Sequence, residues 1–169
     1  MFEKNNRGIT LIELLTVIAI IGILVVALGF SFQGWMGGYK VESQVKEMHG
    51  DLMNAMANAM NRNRSYFVSW STIRYTIYED TNPAPDGNGT LETASDRQVM
   101  QKNLNANYPI VWTTNGSPTS FTPKGFISGL RTVRVPNSSD SDYDCVVIST
   151  SRINLGLWTT AGGGDCVTK

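Results

Sequence analysis

The pattern of apolar and polar positions predicts one long helix followed by a β domain. Residues 14–32 carry no charged side chain, and roughly 20 helical residues span the apolar core of a bilayer. From residue 41 onward, apolar residues recur at steps of three and four, which is typical of an amphipathic helix. This stripe comprises Val41, Val45, Met48, Leu52, Met56 and Ala59. We therefore predict a helix over residues 9–63, with a transmembrane segment at about 14–32.

The pattern changes after residue 63 to short runs that are rich in aromatic and β-branched residues, which favour strands. Residues 66–70 and 73–78 are predicted to form a hairpin, and the Pro- and Gly-rich residues 82–89 an exposed loop. Further strands are predicted at 99–102, 110–113, 126–127, 132–135, 145–150 and 153–158. The fold class is α+β, with seven or eight antiparallel strands in a globular domain over residues 64–169.

Two details of the second helical half can also be predicted. Met53, Met56 and Met60 are expected to fill the core, because methionine adapts to irregular gaps. His49, the only histidine in the sequence, is expected to lie in solvent on the helix.

Composition argues against two classes of function. The formal net charge is zero, so charge offers no support for a nucleic-acid partner. The sequence contains one histidine and lacks a nucleophile motif, a phosphate-binding loop and a Cys-x-x-Cys motif. It therefore offers no recognisable group of catalytic residues. We therefore predict that the protein is not an enzyme and has no resident cofactor.

The two cysteines, Cys145 and Cys166, do not have metal-site spacing, and no histidine lies near them. If the domain lies outside the cytoplasm, they are predicted to form a disulfide. The alternative is two unpaired thiols.

The flanks of the apolar run give its orientation. Lys4 and Arg7 precede it, and cations tend to stay on the cytoplasmic side. The run is too long for a cleaved secretory signal, so an uncleaved anchor is the simplest interpretation.

Two residues do not fit a plain anchor. Glu13 is a carboxylate inside the leading edge, where burial in lipid is costly, and Gly8 lies ahead of the run rather than behind it.

Residues 7–13, with the sequence Arg-Gly-Ile-Thr-Leu-Ile-Glu, resemble the class III signal of type IV prepilins and type II secretion pseudopilins. This resemblance implies that prepilin peptidase removes residues 1–8 as a leader by cutting between Gly8 and Ile9. It also implies that the peptidase N-methylates Ile9. Glu13 would then pair with the free amine of a neighbouring subunit during filament assembly.

Weaker similarities over residues 51–63, 121–126 and 148–153 resemble GspH/FimT-type minor pilins and pseudopilins. In that family, two small sheets pack against the long helix. The resemblance implies a single-pass subunit of the inner membrane with a periplasmic β domain. Such a subunit primes or joins a type IV pilus or a type II secretion pseudopilus, and its partners are other pilins. A membrane-anchored periplasmic domain that never polymerises is the alternative.

Two further sites follow from the family and are weaker. Some pseudopilins bind calcium in C-terminal loops, and alternate carboxylates occur here at Asp140, Asp142 and Asp144. A solvated acidic turn is the favoured interpretation, because the glycine and closing glutamate of an EF-hand are absent.

Some FimT-like pilins bind DNA during uptake through C-terminal arginines, for which the candidates here are Arg131, Arg134 and Arg152. Arg131 and Arg134 are predicted to point to opposite faces of one strand, so nucleic acid is not the expected partner.

Overall fold

A computed structural model of the protein describes residues 9–113, 118–136, 141–160 and 164–169, without the side chains of residues 27–35. Its single described helix, α1, runs from Leu11 to Arg62. The chain divides into two compact units between Met36 and Gly37. The first unit contains the beginning of α1, and the second contains the remainder of α1 and all of the described strands.

The helix ends where the sequence predicts, and its terminus has a specific cause. Asn63 takes a left-handed backbone conformation, with φ of 53°, and asparagine tolerates this region better than most residues. The Arg64 N–H then donates to the Ala59 carbonyl at 3.2 Å. This bond satisfies one of the carbonyls that the last helical turn leaves unpaired.

Within the described residues, ten strands follow the helix. They are β1 (Tyr66–Ser71), β2 (Arg74–Glu79), β3 (Arg97–Asn103), β4 (Val111–Trp112), β5 (Thr119–Phe121), β6 (Ile127–Ser128), β7 (Arg131–Arg134), β8 (Cys145–Ile148), β9 (Ile153–Thr159) and β10 (Asp165–Thr168). They form two antiparallel sheets with the orders β3-β2-β1-β5-β6 and β10-β9-β8-β7-β4. The α+β class, the two sheets and the β1–β2 hairpin are thereby confirmed.

The core of the second unit lies between the helix and both sheets. The helix contributes one stripe of buried residues: Val41, Val45, Met48, Leu52, Ala55 and Ala59. The first sheet contributes Tyr66, Val68, Tyr75, Ile77, Phe121 and Ile127, and the second contributes Val133, Val146, Ile148 and Ile153. The amphipathic half of the helix therefore packs on the β domain, as its periodicity predicts.

The predicted number of strands was too low, because β5 and β10 were not expected. Their sequences, Thr-Ser-Phe and Asp-Cys-Val-Thr, are short and partly polar. Each is held by a longer neighbour, since β5 pairs with β1 and β10 pairs with β9. Neighbouring strands rather than local propensity therefore determine these two elements.

The predictions for Met53, Met60 and His49 were wrong. Met53 and Met60 are exposed, whereas Met56 is half-buried and packs against the core, as predicted. The buried stripe runs through Ala55 and Ala59, and a neighbouring helical residue is turned by about 100° from it. His49 is half-buried, and its Nε2 lies 3.0 Å from the Ile153 carbonyl.

The loop between β2 and β3 is exposed over most of residues 82–89, as predicted, but its two ends are buried. The buried carboxylate of Asp80 accepts N–H groups from Asn88 at 3.2 Å and Gly89 at 2.7 Å. Buried Asp96 accepts the N–H of Thr81 at 3.1 Å. These bonds hold a compact loop that leaves the first sheet after Glu79 and returns before Arg97.

Candidate functional site: the N-terminal helix and its carboxylate

The start of α1 is apolar and exposed on every side. All residues from 9 to 26 are exposed, and the large apolar side chains among them range from 47% exposed at Val17 to 78% at Leu11. Consecutive helical residues are rotated by about 100°, so an unbroken run of this kind leaves no polar face. A helix that is apolar all round is typical of one that is buried in a larger assembly or a membrane.

Glu13 lies in the first turn of this helix, and Thr10 caps the helix. The Glu13 N–H donates to the Thr10 hydroxyl at 3.3 Å and to the Thr10 carbonyl at 3.1 Å. The spacing Thr-x-x-Glu is that of a capping box. A carboxylate near a helix N-terminus is also favoured by the helix dipole. Glu13 is therefore compatible with the fold, and it is the only charged residue between Gly8 and Lys40.

A shallow groove lies further along the same helix, where Gly22 has no side chain. The groove is lined by Ile18, Ala19, Gly22, Ile23 and Val26. A Cβ added at Gly22 would meet no atom within 4 Å. Among the residues that the structure describes, no helix is both long and apolar enough for a membrane crossing.

The predicted cleavage site is only partly visible. Gly8 and the rest of the predicted leader lie outside the described residues. Ile9 is exposed and precedes the helix, which begins at Leu11.

The structure joins Cys145 on β8 to Cys166 on β10 in a disulfide. These two strands flank β9, so the bridge must cross it at Gly156, which is the partner of Cys145 in the register. A Cβ at Gly156 would lie 2.7 Å from the Cys166 sulphur and 2.6 Å from the Val167 carbonyl oxygen. Sequence reasoning missed Gly156. The sequence did contain a signal, because a glycine inside a strand-forming segment often marks a place where another part of the chain comes close to the backbone.

Two of the three candidate calcium ligands, Asp142 and Asp144, are described, and they have different environments. Asp140 lies outside the described residues. The Asp142 side chain is 79% exposed and lies 3.7 Å from the Lys169 ammonium. Asp144 is buried and accepts the Trp158 N–H at 2.6 Å. Within the described parts of the chain, no group of three or more acidic, histidine or cysteine side chains is placed to hold a metal ion.

The three candidate DNA-contacting arginines also have separate environments. Arg131 is buried beside Trp70, with 5.9 Å between guanidinium and ring centre, and burial lowers its pKa. Arg134, further along the same strand, stacks over Trp158 at 4.2 Å. Arg152 is exposed in the turn between β8 and β9. The three side chains therefore differ in burial and in the groups that they contact.

A polar contact ties the helix to the first sheet. The Tyr75 hydroxyl donates to the Asp51 carboxylate at 2.5 Å. Burial, together with the hydrogen bond to Asp51, raises the pKa of Tyr75 well above its usual range. The neutral phenol is therefore the form that this site stabilises.

Comparison with known proteins identifies the N-terminal motif. Residues 4–29 match the family described as the prokaryotic N-terminal methylation motif. No protein of curated function matches the sequence. Among solved structures, the chain is similar to the minor pseudopilin EpsH from the type 2 secretion system of Vibrio cholerae. The identity is 13%, over 65% of this chain and 90% of that chain, with a TM-score of 0.48. The match over residues 4–29 confirms the methylation motif that the N-terminal sequence predicts.

Proposed function

We propose that this chain is a minor pilin or pseudopilin of the GspH/FimT type. In this role it primes, caps or joins a type IV pilus or a type II secretion pseudopilus. The observation that carries the proposal is the apolar, exposed start of α1, which has a single carboxylate in its first turn and lies within the methylation-motif match. Its role is structural rather than enzymatic.

Processing creates the group that Glu13 needs. Prepilin peptidase cuts between Gly8 and Ile9, which removes Lys4 and Arg7 with the leader, and it then methylates the new amine of Ile9. Residues 14–32 hold the subunit in the inner membrane, and the β domain lies in the periplasm. The Cys145–Cys166 disulfide supports that location, because structural disulfides persist in oxidising compartments.

Glu13 acts during assembly as the partner of a neighbouring subunit's Ile9 amine. In a low-dielectric filament core, an unpaired carboxylate is strongly unfavourable, whereas an amine at hydrogen-bond distance compensates it. The ion pair therefore stabilises the one axial position of the incoming helix in which the amine reaches Glu13. At other axial positions the carboxylate stays unpaired, which is unfavourable. The exposed apolar side chains from Leu11 to Val26 supply the surface that the neighbouring helices cover.

This mechanism is tested by replacing the carboxylate with an uncharged amide. Glu13→Gln keeps the size of the side chain, and we expect cross-linked assemblies to fall by about tenfold or more, since breaking a buried ion pair is strongly destabilising. Glu42→Gln is the matched control, because Glu42 is on the same helix but pairs at the surface with Lys46. Assembly of Glu13→Gln at the control level would refute the role of Glu13.

The plain-anchor alternative makes a different prediction. A domain that never polymerises would keep its leader, and neither variant would alter its state of assembly. The DNA-uptake alternative receives no support from Arg131, Arg134 and Arg152, since these three residues occupy different environments.

A further inference from the structure

The second sheet carries a small pocket beside its edge strand, β4, with a volume of about 170 Å³. It is lined by Val111, Trp112, Thr113, Thr132, Arg134 and Trp158. Burial alternates along β7, where Arg131 and Val133 are buried whereas Thr132 and Arg134 are only half-buried. Val133 belongs to the core. Because successive strand residues point to opposite faces, Thr132 and Arg134 lie on the face of the sheet that points away from the core.

An aromatic ring holds Arg134 in this pocket. The guanidinium carbon lies 4.2 Å from the centre of the Trp158 ring, which is well within the range of a cation–π contact. The backbone packs against the same ring, since a Cβ added at Gly164 would lie 2.8 Å from Cζ2 of Trp158. The backbone N–H of Trp158 donates to the buried Asp144 at 2.6 Å. The indole is therefore a fixed platform for the guanidinium.

The pocket contains hydrogen-bond donors that lack acceptors. A guanidinium carries five N–H groups, and contact with an aromatic face satisfies few of them. Among the residues that the structure describes, none accepts a hydrogen bond from the Arg134 guanidinium or forms an ion pair with it. The Thr113 hydroxyl oxygen accepts the Thr132 N–H at 2.9 Å, so its own O–H is a further donor.

The carboxylates of this part of the chain have other partners. Four acidic residues follow β4 in the sequence, and Asp140 is the one that lies outside the described residues. Asp144 and Asp165 each accept a backbone N–H, at 2.6 and 2.7 Å. Asp142 lies 3.7 Å from the Lys169 ammonium. None of the three described carboxylates therefore compensates the arginine of the pocket.

The charge of the pocket suits an anion with one negative charge. Among the described residues that line it, Arg134 alone is charged. One guanidinium balances one carboxylate, whereas a phosphate dianion would keep an uncompensated charge in a partly apolar site, which is costly. The planar guanidinium also matches a carboxylate, because two parallel N–H groups reach its two oxygens.

The size of the pocket limits what can accompany that carboxylate. Pockets for drug-sized ligands have volumes of roughly 300–1,000 Å³, and this one has about 170 Å³. It therefore accepts a group of about the size of one side chain. Val111, which is 37% exposed, and Trp158 provide apolar walls for such a group.

We propose that this pocket, which we call the Arg134 pocket, binds one carboxylate on a short apolar stem. The source is either a free small acid or the last residue of a polypeptide. The carboxylate accepts hydrogen bonds from Arg134 and Thr113, and the stem packs on Val111 and Trp158. The proposal goes beyond the role of the N-terminal helix and does not depend on it.

The test follows the indole N–H signals of the full-length chain in uncharged detergent micelles by two-dimensional NMR. The chain has four tryptophans, and a Trp158→Phe variant identifies the Trp158 signal. The probe is 3-methylbutanoate, and 3-methylbutanamide is its uncharged comparison. We expect the acid to shift the Trp158 signal to saturation at concentrations about tenfold lower than the amide, because hydrogen bonds to a charged acceptor are stronger.

A second pair of probes distinguishes the two sources of the carboxylate. The peptide Gly-Ser-Gly-Ser-Leu is added either with a free C-terminal carboxylate or with a C-terminal amide. Tighter binding of the free-carboxylate peptide than of 3-methylbutanoate assigns the pocket to the end of a polypeptide, and weaker binding assigns it to a small acid. In both cases the carboxylate form must bind more tightly than its own amide.

Variants locate the binding site. Arg134→Gln is expected to weaken binding of 3-methylbutanoate by about tenfold or more, and Arg134→Lys by less, since it keeps the charge without the planar fork. Arg152→Gln is the matched control, because it removes the same charge from an exposed turn of the same sheet, and it should leave binding unchanged. If thermal melting shows that Arg134→Gln is unfolded, Val111→Phe takes its place. This variant keeps the arginine and fills the pocket, so binding should again weaken.

Three results would overturn the proposal. The first is equal binding of 3-methylbutanoate and 3-methylbutanamide. The second is an equal loss of binding in Arg134→Gln and in Arg152→Gln. The third is a shift of the Trp158 signal by inorganic phosphate or single-stranded oligothymidylate at concentrations as low as those of the acid, which would assign the pocket to phosphate groups.

Discussion

The two parts of α1 differ in where their apolar side chains find partners. From Val41 to Ala59 one stripe of apolar residues is buried against the β domain, and residues such as Val45 and Leu52 are completely buried. From Leu11 to Val26 the apolar residues cover every face, and all are exposed. A stripe can be covered by one neighbouring layer, whereas a wholly apolar helix needs surroundings on all sides. The first part therefore depends on lipid or on other chains, and the second does not.

The strongest test of this difference removes one large side chain from each part. Leu52→Ala creates a cavity in the core, and we expect it to lower the free energy of unfolding of the β domain by about 2–5 kcal/mol. Ile18→Ala changes an exposed residue and should leave that free energy unchanged. Denaturant unfolding of the full chain in detergent, followed by tryptophan fluorescence, measures both. Equal losses of unfolding free energy in the two variants would contradict the claim that only the second part of α1 packs on the β domain.

The disulfide provides a second contrast, since it constrains only the β domain. Replacing Cys145 and Cys166 by serine opens a loop with a sequence separation of 21 residues. In the chain-entropy treatment, this lowers the free energy of unfolding by about 3 kcal/mol. The part of the helical circular dichroism signal that comes from the first part of α1 should persist at temperatures where the β domain of the variant has melted, because only the second part of α1 shares the core of that domain. A melting temperature that is insensitive to both the substitution and dithiothreitol would show that the bridge does not stabilise the domain.

A smaller effect is expected at the contact between the helix and β2. Tyr75→Phe removes the hydroxyl that donates to Asp51, and we expect a loss of about 1 kcal/mol at neutral pH. The effect also depends on pH, because the pKa of Tyr75 is raised in the folded protein.

The sign of that dependence follows from proton binding. Above about pH 10 the unfolded tyrosine releases its proton while folded Tyr75 retains it, so stability declines as pH rises. The decline should be shallower in Tyr75→Phe than in the wild type. Urea unfolding at a series of pH values between neutral and strongly alkaline measures it, and identical slopes would contradict a buried neutral phenol.

Long periodic elements were predictable from sequence, and short ones were not. The stripe from Val41 to Ala59 places the helix on the β domain because its period matches the helical repeat. β5 and β10 lack such a pattern, and pairing with β1 and β9 determines them. The exposed Met53 and Met60 show how narrow the buried stripe is, since one helical step removes a residue from it.

Candidate sites also differ in how far the sequence alone predicts them. The signal around Glu13 is contiguous, so residues 7–13 are sufficient to recognise it. The cluster around Glu79 joins arginines from the helix end, the following turn and β3, and only the strand register brings Arg97 beside Glu79. Gly156 illustrates an intermediate case. The glycine was visible in the sequence, but the disulfide that crosses it was determined by the order of β8, β9 and β10.

The most direct test of the proposed function is mass spectrometry of the mature N-terminus. The chain would be expressed together with a prepilin peptidase, isolated from membranes and digested. We predict an N-terminal peptide that begins at Ile9 and carries one additional methyl group on its amine. A Gly8→Ala variant, in which the residue before the cut is changed, serves as the control and should retain the leader. A wild-type chain that retains Met1, or that is cut after residue 32, would contradict the account.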